Sequence, residues 1–267
     1  MYDFYMNGML SYEDDINILN SHRNYDNNTE KKICFTYDYS DSRLQTLRLE
    51  YKLDCIAGLG SDFMKMLRIT YWLSKYLTLG NAISTDNFHA LSVLRETQTD
   101  YVSNCFITAN VLQDCFLSMG YKARMVRCLP LDLRYNECHC ITAAYVEQYH
   151  KFIIFDAGMG GCYVDSKGTL LSIPELRELI IDQKTFYIRS IGGIDSKELA
   201  KYWAKNLVRF QSHMNIKYGN EIKGEKRVLV TLNPATLVLN DKIDAKNNHD
   251  CQYVFTNNDK EFWEMDI

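Results

Sequence analysis

Three residues that could act together in nucleophilic catalysis lie within one part of this 267-residue chain. They are Cys105, His139 and Asp156, in that order. A cysteine thiolate can attack a carbonyl carbon, a histidine can take up and return the proton, and a carboxylate can orient the imidazole and stabilise its charged form. Such a set could cleave or transfer an acyl group if the fold brings the three side chains together.

A helix pattern begins at the cysteine. Ser103 and Asn104 are both suitable N-caps, small and apolar residues recur at helical spacing as far as Met119, and Gly120 supplies a stop. The positive end of the helix macrodipole favours a thiolate and lowers the thiol pKa from its usual value of about 8.5. We therefore predict that Cys105 lies at the start of a helix as an activated nucleophile.

Two strand patterns carry the other two residues. Residues 138–146 alternate as a strand does, and residues 151–157 form a second apolar run. If the two strands form a hairpin with a tight turn, Asp156 lies opposite or diagonal to His139. We expect Asp156 to fix the tautomer of His139, while His139 deprotonates Cys105 and later protonates the leaving group.

Three runs of sequence carry a family resemblance: NCFITANVLQDCFLSMGYKARMV, CHCITAAYV and FIIFDAGMGGCYVD. In the transglutaminase-like superfamily, which has a papain-like cysteine fold, a cysteine begins a helix that leads through Gly-x-x-Ala-Arg into a strand, and a strand histidine and a strand aspartate follow. A further pattern beginning at Gly168 is similar to the turn and helix that close the family core. The matching catalytic and framework residues of this chain are Cys105, Gly120, Ala123, Arg124, His139 and Asp156.

The chain departs from the family pattern at two places. Ile141 stands where the family commonly has an aromatic residue, and Gly158 to Gly161 replaces a turn that more often contains proline. The chain therefore resembles a divergent, bacterial-type member of the superfamily. The glycine-rich turn and Tyr163 could line a pocket, although a tight turn accounts for them equally well.

The resemblance implies an α+β fold in which the Cys-bearing helix packs on an antiparallel sheet that carries the histidine and the aspartate. It also implies an enzyme that performs acyl transfer at an amide or peptide bond through a thioester on Cys105. We expect hydrolysis of a peptide, protein or small amide, because water needs no second binding site. The alternatives are transfer to an amine, as in crosslinking transglutaminases, and an inactive module that binds a peptide or protein partner.

Acyl transfer also needs hydrogen-bond donors for the developing oxyanion. The backbone N–H of Cys105 is one candidate, Gln98 is the most suitable upstream side chain, and Tyr101 is the next. We predict a structural role for Arg124, either paired with a carboxylate or at the surface.

The Cys-His-Cys sequence around His139 also permits a metal hypothesis. Cys138 and Cys140 share one face of a strand and could both bind zinc, with Cys128 or Cys162 as remote ligands. No C-x-x-C pair occurs, and three packed strand residues explain the pattern better. No acidic loop has a calcium-ligand pattern. We therefore predict neither a metal nor a cofactor.

The composition indicates the cellular compartment and the classes of binding partner that we expect for this protein. Nine cysteines, an odd number without framework spacing, favour a reducing compartment over a disulfide scaffold. The first residues lack the basic start and apolar core of a signal peptide, and no segment approaches the roughly 18 apolar residues of a membrane span. With a net charge of -4 and no dense Lys/Arg cluster, we expect a cytoplasmic protein that binds neither nucleic acid nor membrane.

We expect one domain, because 46% of the residues are hydrophobic and no Pro/Gly/Ser linker divides the chain. Residues 1–30 are predicted to form a loose or partly helical polar arm, and residues 31–267 the domain, with a catalytic core at about 60–190 and a C-terminal part at 191–267. The remaining elements are predicted as strands at 32–39, 43–53, 186–190, 227–232 and 253–256 and helices at 61–75, 88–95, 174–182 and 198–213.

Overall fold

The computed structural model describes residues 10–28, 33–80, 88–96, 102–131, 138–190, 196–222, 224–237 and 250–264. These residues form both helices and strands. In chain order they are α1 (Tyr12–Ser21), β1 (Thr36–Tyr37), α2 (Ser42–Glu50), α3 (Leu53–Ala57), α4 (Asp62–Tyr76), β2 (Thr78–Leu79), α5 (Ala90–Glu96), β3 (Val102–Ser103), α6 (Cys105–Ser118), β4 (Ala123–Leu129), β5 (His139–Val146), a 3-10 turn (Glu147–Tyr149), β6 (Lys151–Asp156), β7 (Gly161–Asp165), α7 (Ile173–Ile181), β8 (Phe186–Arg189), α8 (Ser196–Lys205), β9 (Arg209–His213), β10 (Asn215–Ile216), β11 (Arg227–Leu232), β12 (Cys251–Thr256) and α9 (Asp259–Trp263).

A single eight-stranded sheet holds the predicted catalytic strands at its centre. The strand order is β12-β11-β9-β4-β5-β6-β7-β8. All neighbours are antiparallel except β11 and β12, which run parallel at one edge. Helix α6 packs on β4 and β5. The predicted α+β architecture, with the Cys-bearing helix packed on an antiparallel sheet that carries the histidine and the aspartate, is confirmed.

Helix α6 is buried on all sides. Every residue from Ile107 to Ser118 is buried, as expected for a helix that is apolar around its circumference. Its polar side chains bond to the sheet: Gln113 Oε1 accepts from the Met125 N–H at 2.8 Å. The Thr142 hydroxyl of β5 donates to the Ala109 carbonyl at 3.0 Å. These bonds fix the position of the helix start relative to β5.

The two faces of β5 pack against different helices. Ala144 and Val146 belong to the apolar cluster around α4 and α6. Ile141 and Ala143 belong to a second cluster, which contains Trp203 of α8 and the apolar side chains of α7. The predicted alternation of β5 is therefore confirmed. His139 shares the parity of Ile141, which places it on the α8 face of the sheet.

The β5–β6 hairpin has the predicted geometry. Val146 pairs with Lys151 across the 3-10 turn, and Thr142 pairs with Phe155. Continuing this register by three residues puts Gly158 opposite His139 and Asp156 diagonal to it, within reach of a hydrogen bond.

One predicted strand pair is wrong. Residues 43–53 form helix α2 and the start of α3, and of the described residues 33–39 only Thr36 and Tyr37 are in a strand. The Asp41 carboxylate caps α2 by accepting from the Arg43 N–H at 2.9 Å. The leucine residues of this segment belong to a helix. Leu44 and Leu47 lie three positions apart, so both point to the buried face of α2.

The predicted helix at 198–213 is also wrong in its second half. Helix α8 ends at Lys205, and Arg209–His213 forms β9 between β4 and β11. All five residues of β9 are buried. Tertiary pairing on both sides therefore decides the conformation of this segment, in which no glycine or proline marks the end of the helix.

The other predicted elements are present with shifts of one or two residues at their ends: helices α4, α5 and α7 and strands β8, β11 and β12. Within the predicted N-terminal arm, α1 packs on α7 and α8 and buries Ile16 and Leu19. The arm thus contains a docked helix. Among the helices that the structure describes, none has both the length and the apolar character needed to cross a membrane.

Candidate active site

The predicted His–Asp pair forms at the end of β5. His139 Nε2 lies 3.1 Å from Asp156 Oδ2, and the side chain of each residue is only 4% exposed. Because an ionised carboxylate only accepts hydrogen bonds, the contact assigns a proton to Nε2. Nδ1 is then the ring nitrogen that can exchange a proton with a nucleophile.

The carboxylate of Asp156 is held by two further donors. The Tyr163 hydroxyl donates to Oδ2 at 2.9 Å, and the Met159 N–H donates to Oδ1 at 3.2 Å. Burial raises the pKa of Asp156, but His139 and these donors outweigh it, so the pKa is below its ordinary value. The group is therefore an anion at neutral pH.

Cys105 begins α6, as predicted. Asn104 is the N-cap, and its side chain accepts from the Ile107 N–H at 3.0 Å. The Cys105 side chain is partly exposed, and its thiol donates to the Cys138 carbonyl at 3.8 Å. The partly exposed sulfur lies where the positive end of the helix favours a thiolate.

Two side chains, Cys140 and His139, and burial control the charge state of this sulfur. The largest influence is a hydrogen bond from the Cys140 thiol, which lowers the pKa of Cys105. Burial opposes it, and the hydrogen bond and charge of His139 add to it, so that the pKa lies well below the ordinary thiol value. For His139, burial lowers the pKa, but the bond to Asp156 and the contact with Cys105 prevail and raise the pKa to about 10. Both shifts favour the thiolate–imidazolium pair over the neutral pair.

Helix α8 contributes two residues that the sequence did not reveal. The Tyr202 hydroxyl lies 2.9 Å from His139 Nδ1. The rings of Tyr202 and Trp203 meet the imidazole edge to face, at centroid distances of 4.9 and 4.8 Å. Trp203 also packs against Tyr163, at 5.4 Å. The adjacent aromatic residues in the predicted helix were the only available signal, and nothing in their spacing related them to His139.

Of the three predicted oxyanion donors, the structure describes only the backbone N–H of Cys105. Gln98 and Tyr101 lie outside the described residues. The Cys105 N–H is in the first turn of α6, where backbone N–H groups have no acceptor within the helix. It is thus available in principle to a ligand oxygen. A small cavity beside Cys105 is lined by residues of α6, β5 and the turn after β6, including Thr108, Cys140 and Gly158.

The cysteines considered as metal ligands do not converge. The Cys138 and Cys140 sulfurs lie 3.8 Å apart, on one face of the strand as predicted. Cys128 is buried opposite His139, and Cys162 is buried in the α4–α6 cluster. Within the described part of the chain, no group of three or more His, Cys, Asp or Glu side chains could hold a metal ion.

Arg124 is buried, and no carboxylate among the described residues forms an ion pair with it. It is 1% exposed, and its guanidinium lies over Phe35 and Phe152 at 4.0 and 4.7 Å. Nη2 donates to the Phe262 carbonyl, whereas Nε and Nη1 have no partner among the described residues. Aromatic rings therefore supply its main contacts, and the expected structural role takes the form of a cation–π cluster between β4 and α9.

The chain is similar to several solved structures. One is a candidate cysteine protease from Cytophaga hutchinsonii, with 21% identity over 51% of this chain and 43% of that one and a TM-score of 0.33. Another is LapG from Legionella pneumophila, with 11% identity over 74% and 97% of the two chains and a TM-score of 0.33. A third is red sea bream transglutaminase, with 11% identity over 80% and 40% and a TM-score of 0.34.

This chain spans less than half of the length of the first and third of these structures. No protein-family model and no curated protein sequence matches the chain.

Proposed function

We propose that the protein is a cysteine-dependent hydrolase that cleaves an amide or peptide bond through a thioester on Cys105. The observation that supports this function best is the arrangement around His139: Nε2 bonds to a buried carboxylate, and the sulfur of a partly exposed cysteine at a helix N-terminus lies 3.8 Å from the carbonyl oxygen of Cys138, the residue before His139. The substrate would be a peptide, a protein or a small amide.

In the first half of the reaction, the Cys105 thiolate attacks the carbonyl carbon and the C=O electrons move to oxygen. The Cys105 N–H would donate to this oxyanion. As the C–N bond breaks, Nδ1 of the His139 imidazolium gives its proton to the departing amine. The products of this half are a free amine, a thioester and a neutral imidazole.

In the second half, water attacks the thioester carbon and His139 Nδ1 takes up a proton from that water. The C–S bond then breaks, the carboxylic acid leaves, and the thiolate and imidazolium are restored. Asp156 remains ionised throughout and stabilises the imidazolium in each half. Water is the proposed acceptor because it needs no second binding site; an amine in its place would give the crosslinking reaction.

An inactive binding module is the competing function. The observation that favours it is the Tyr202 hydroxyl at Nδ1, the nitrogen that the mechanism requires. Iodoacetamide labelling at pH 6, followed by intact mass and peptide mapping, separates the two functions. The exposed thiols of Cys34 and Cys55 provide internal references for ordinary cysteine reactivity.

We expect Cys105 to be labelled at least tenfold faster than either reference, and His139→Ala to remove this advantage. A screen of amide and peptide substrates would follow, with Cys105→Ala as the inactive control and hydroxylamine-sensitive mass adducts as evidence for the thioester. Slow labelling of Cys105 that does not depend on His139 would exclude the hydrolase and leave the binding module.

A further inference from the structure

Both ring nitrogens of His139 have partners in this structure. Asp156 occupies Nε2 at 3.1 Å and the Tyr202 hydroxyl occupies Nδ1 at 2.9 Å. The carboxylate keeps a proton on Nε2, so neutral His139 has its lone pair on Nδ1. Tyr202 must then donate its O–H to Nδ1.

This hydrogen bond competes with the function proposed for Cys105. Neutral His139 can accept from one group at Nδ1, and an O–H donor forms a stronger bond than an S–H donor. The imidazolium has a single N–H at Nδ1. When this N–H donates to the Tyr202 oxygen, it does not bond to the Cys105 thiolate. In either protonation state, the phenol hydroxyl therefore weakens the coupling between His139 and Cys105.

We propose that Tyr202 is a positioning residue that competes with Cys105 for His139 Nδ1 and so restrains thiolate formation in the resting protein. The proposal rests on the proposed function, because it concerns the same base nitrogen. Release of the hydroxyl, when a substrate binds or α8 shifts, would give Cys105 sole use of Nδ1.

The contribution of the hydroxyl can be separated from that of the ring. The Tyr202 ring packs against the imidazole at 4.9 Å, and Trp203 supports it from the next position at 4.8 Å. Tyr202→Phe keeps these contacts and removes only the hydroxyl. If Tyr202 merely supported His139, the loss of its hydrogen bond would loosen the imidazole and slow the reaction of Cys105. Competition predicts the opposite sign.

Other titratable groups also surround the imidazole and remain in the variant. They come from every element that packs around the ring: Asp156 of β6, Tyr163 of β7, Cys105 of α6, Cys128 of β4, and Cys138 and Cys140 beside it. None of these groups is changed by Tyr202→Phe, so a shift in the pH profile reports on the phenol.

The test is the rate of Cys105 alkylation by iodoacetamide between pH 4.5 and 9 in the full chain. We expect Tyr202→Phe to shift the profile to lower pH and to raise the rate at pH 5 by about 3- to 10-fold, the effect of one hydrogen bond. Tyr187→Phe is the matched control, since Tyr187 is 49% exposed on β8, away from the site. An unchanged or slower rate in Tyr202→Phe would overturn the proposal.

A second substitution at position 202 tests the proposal independently of Tyr202→Phe. Placing 3-fluorotyrosine at position 202 makes the phenol oxygen a weaker acceptor for the Nδ1–H of the imidazolium, which is the form of His139 at pH 5, and we expect faster alkylation at that pH. If neither substitution shifts the profile but His139→Ala abolishes the reactivity of Cys105, Tyr202 has no such role and the proposed function stands. If His139→Ala also has no effect, the proposed function fails as well.

Discussion

Tyr163 donates to the same carboxylate oxygen of Asp156 that meets His139, at 2.9 Å against 3.1 Å. The two residues are brought together by the tight turn between β6 and β7, where Asp156 pairs with Gly161. A Cβ atom at Gly161 would lie 2.4 Å from the Arg189 carbonyl oxygen, so glycine is required at this position for the close approach of β7 and β8. The carboxylate that orients the imidazole is thus itself oriented by the next strand.

Asp156→Asn should separate geometry from charge at this position. The amide can keep the contacts to Tyr163 and Met159 but cannot stabilise the imidazolium, so the pKa of His139 falls. We expect an NMR titration of the imidazole to show the pKa of His139 falling by about one or two units from its value of about 10. Tyr163→Phe, which removes one of the donors to the carboxylate, should have a smaller effect. An unchanged pKa of His139 in Asp156→Asn would show that the carboxylate does not support the base.

Cys140→Ala should raise the pKa of Cys105, because the Cys140 thiol is the strongest influence that lowers it. We expect the alkylation profile of Cys105 to move up by roughly 0.5 to 1 pH unit, the value of one hydrogen bond. The shift is opposite in sign to that expected for Tyr202→Phe.

Cys115→Ala is the matched control for this substitution, since Cys115 is buried in α6 among apolar residues. Its profile should coincide with that of the wild type. If the two variants shifted equally, the cause would be a general loosening of α6. If Cys140→Ala caused no shift, the Cys140 thiol would not stabilise the Cys105 thiolate.

The buried carboxyl of Asp114 should make the free energy of unfolding depend on pH. This effect does not involve the active site. Burial raises the pKa of its carboxyl from 3.8 to about 7, against the opposing effect of the Ala90 and Gly219 N–H groups, which donate to it at 3.0 and 3.2 Å. The folded state therefore holds a proton that the unfolded state releases between these pH values. The stabilising contribution of the protonated carboxyl is fully present below about pH 4 and is lost as the pH rises to 7.

Urea unfolding at pH 5 and pH 8 measures this effect. Asp114→Asn should reduce the decline in unfolding free energy between the two pH values by about 2 to 4 kcal/mol. Asp26→Asn, at an exposed position near the N-terminus, should leave the decline as it is. A decline of the same size in Asp114→Asn would mean that other groups cause it.

Glu221 is the centre of a buried ion cluster beside β9. Its carboxylate bonds to Arg227 at 2.5 Å, to His213 at 2.8 Å and to Arg127. Glu221→Gln leaves two guanidinium groups without their counter-ion, and we expect a loss of about 3 to 5 kcal/mol in unfolding free energy at pH 7. Glu147→Gln, at an exposed carboxylate, is the control.

The sign of the pH effect at Glu221 follows from its pKa. Burial raises the pKa, but Arg127 and the other partners outweigh it and lower the pKa to about 2. The stabilisation is present above about pH 4.5 and is lost as the pH falls toward 2. The difference between Glu221→Gln and wild type should therefore shrink in acid; a constant difference would indicate a packing defect instead.

Local patterns were sufficient to predict where Cys105, His139 and Asp156 lie in the helix and strands that carry them. Asn104 and the residues after it encode a helix start, and the period of two in β5 fixes the face of His139, so both signals lie within a few residues of the group they position. The short hairpin adds the register that brings Asp156 to the imidazole. These features depend little on the rest of the chain.

The role of Tyr202 could not be predicted, because it depends on how α8 docks against the far face of the sheet. The identity of β9 likewise comes from pairing with β4 and β11, and the sequence of 198–213 is equally compatible with one long helix. For 43–53, the leucine spacing fits a strand and a helix, and the Asp41 cap decides between them.

The aromatic contacts of α8 have a consequence for motion. Tyr202 and Trp203 hold the imidazole from adjacent helical positions, and His139 is only 3% exposed. The imidazole cannot turn over to exchange its two nitrogens while both rings are in place. Reversal of the ring would require α8 to detach, so amide hydrogen exchange in α8 should set the upper limit on how often the base loses its orientation.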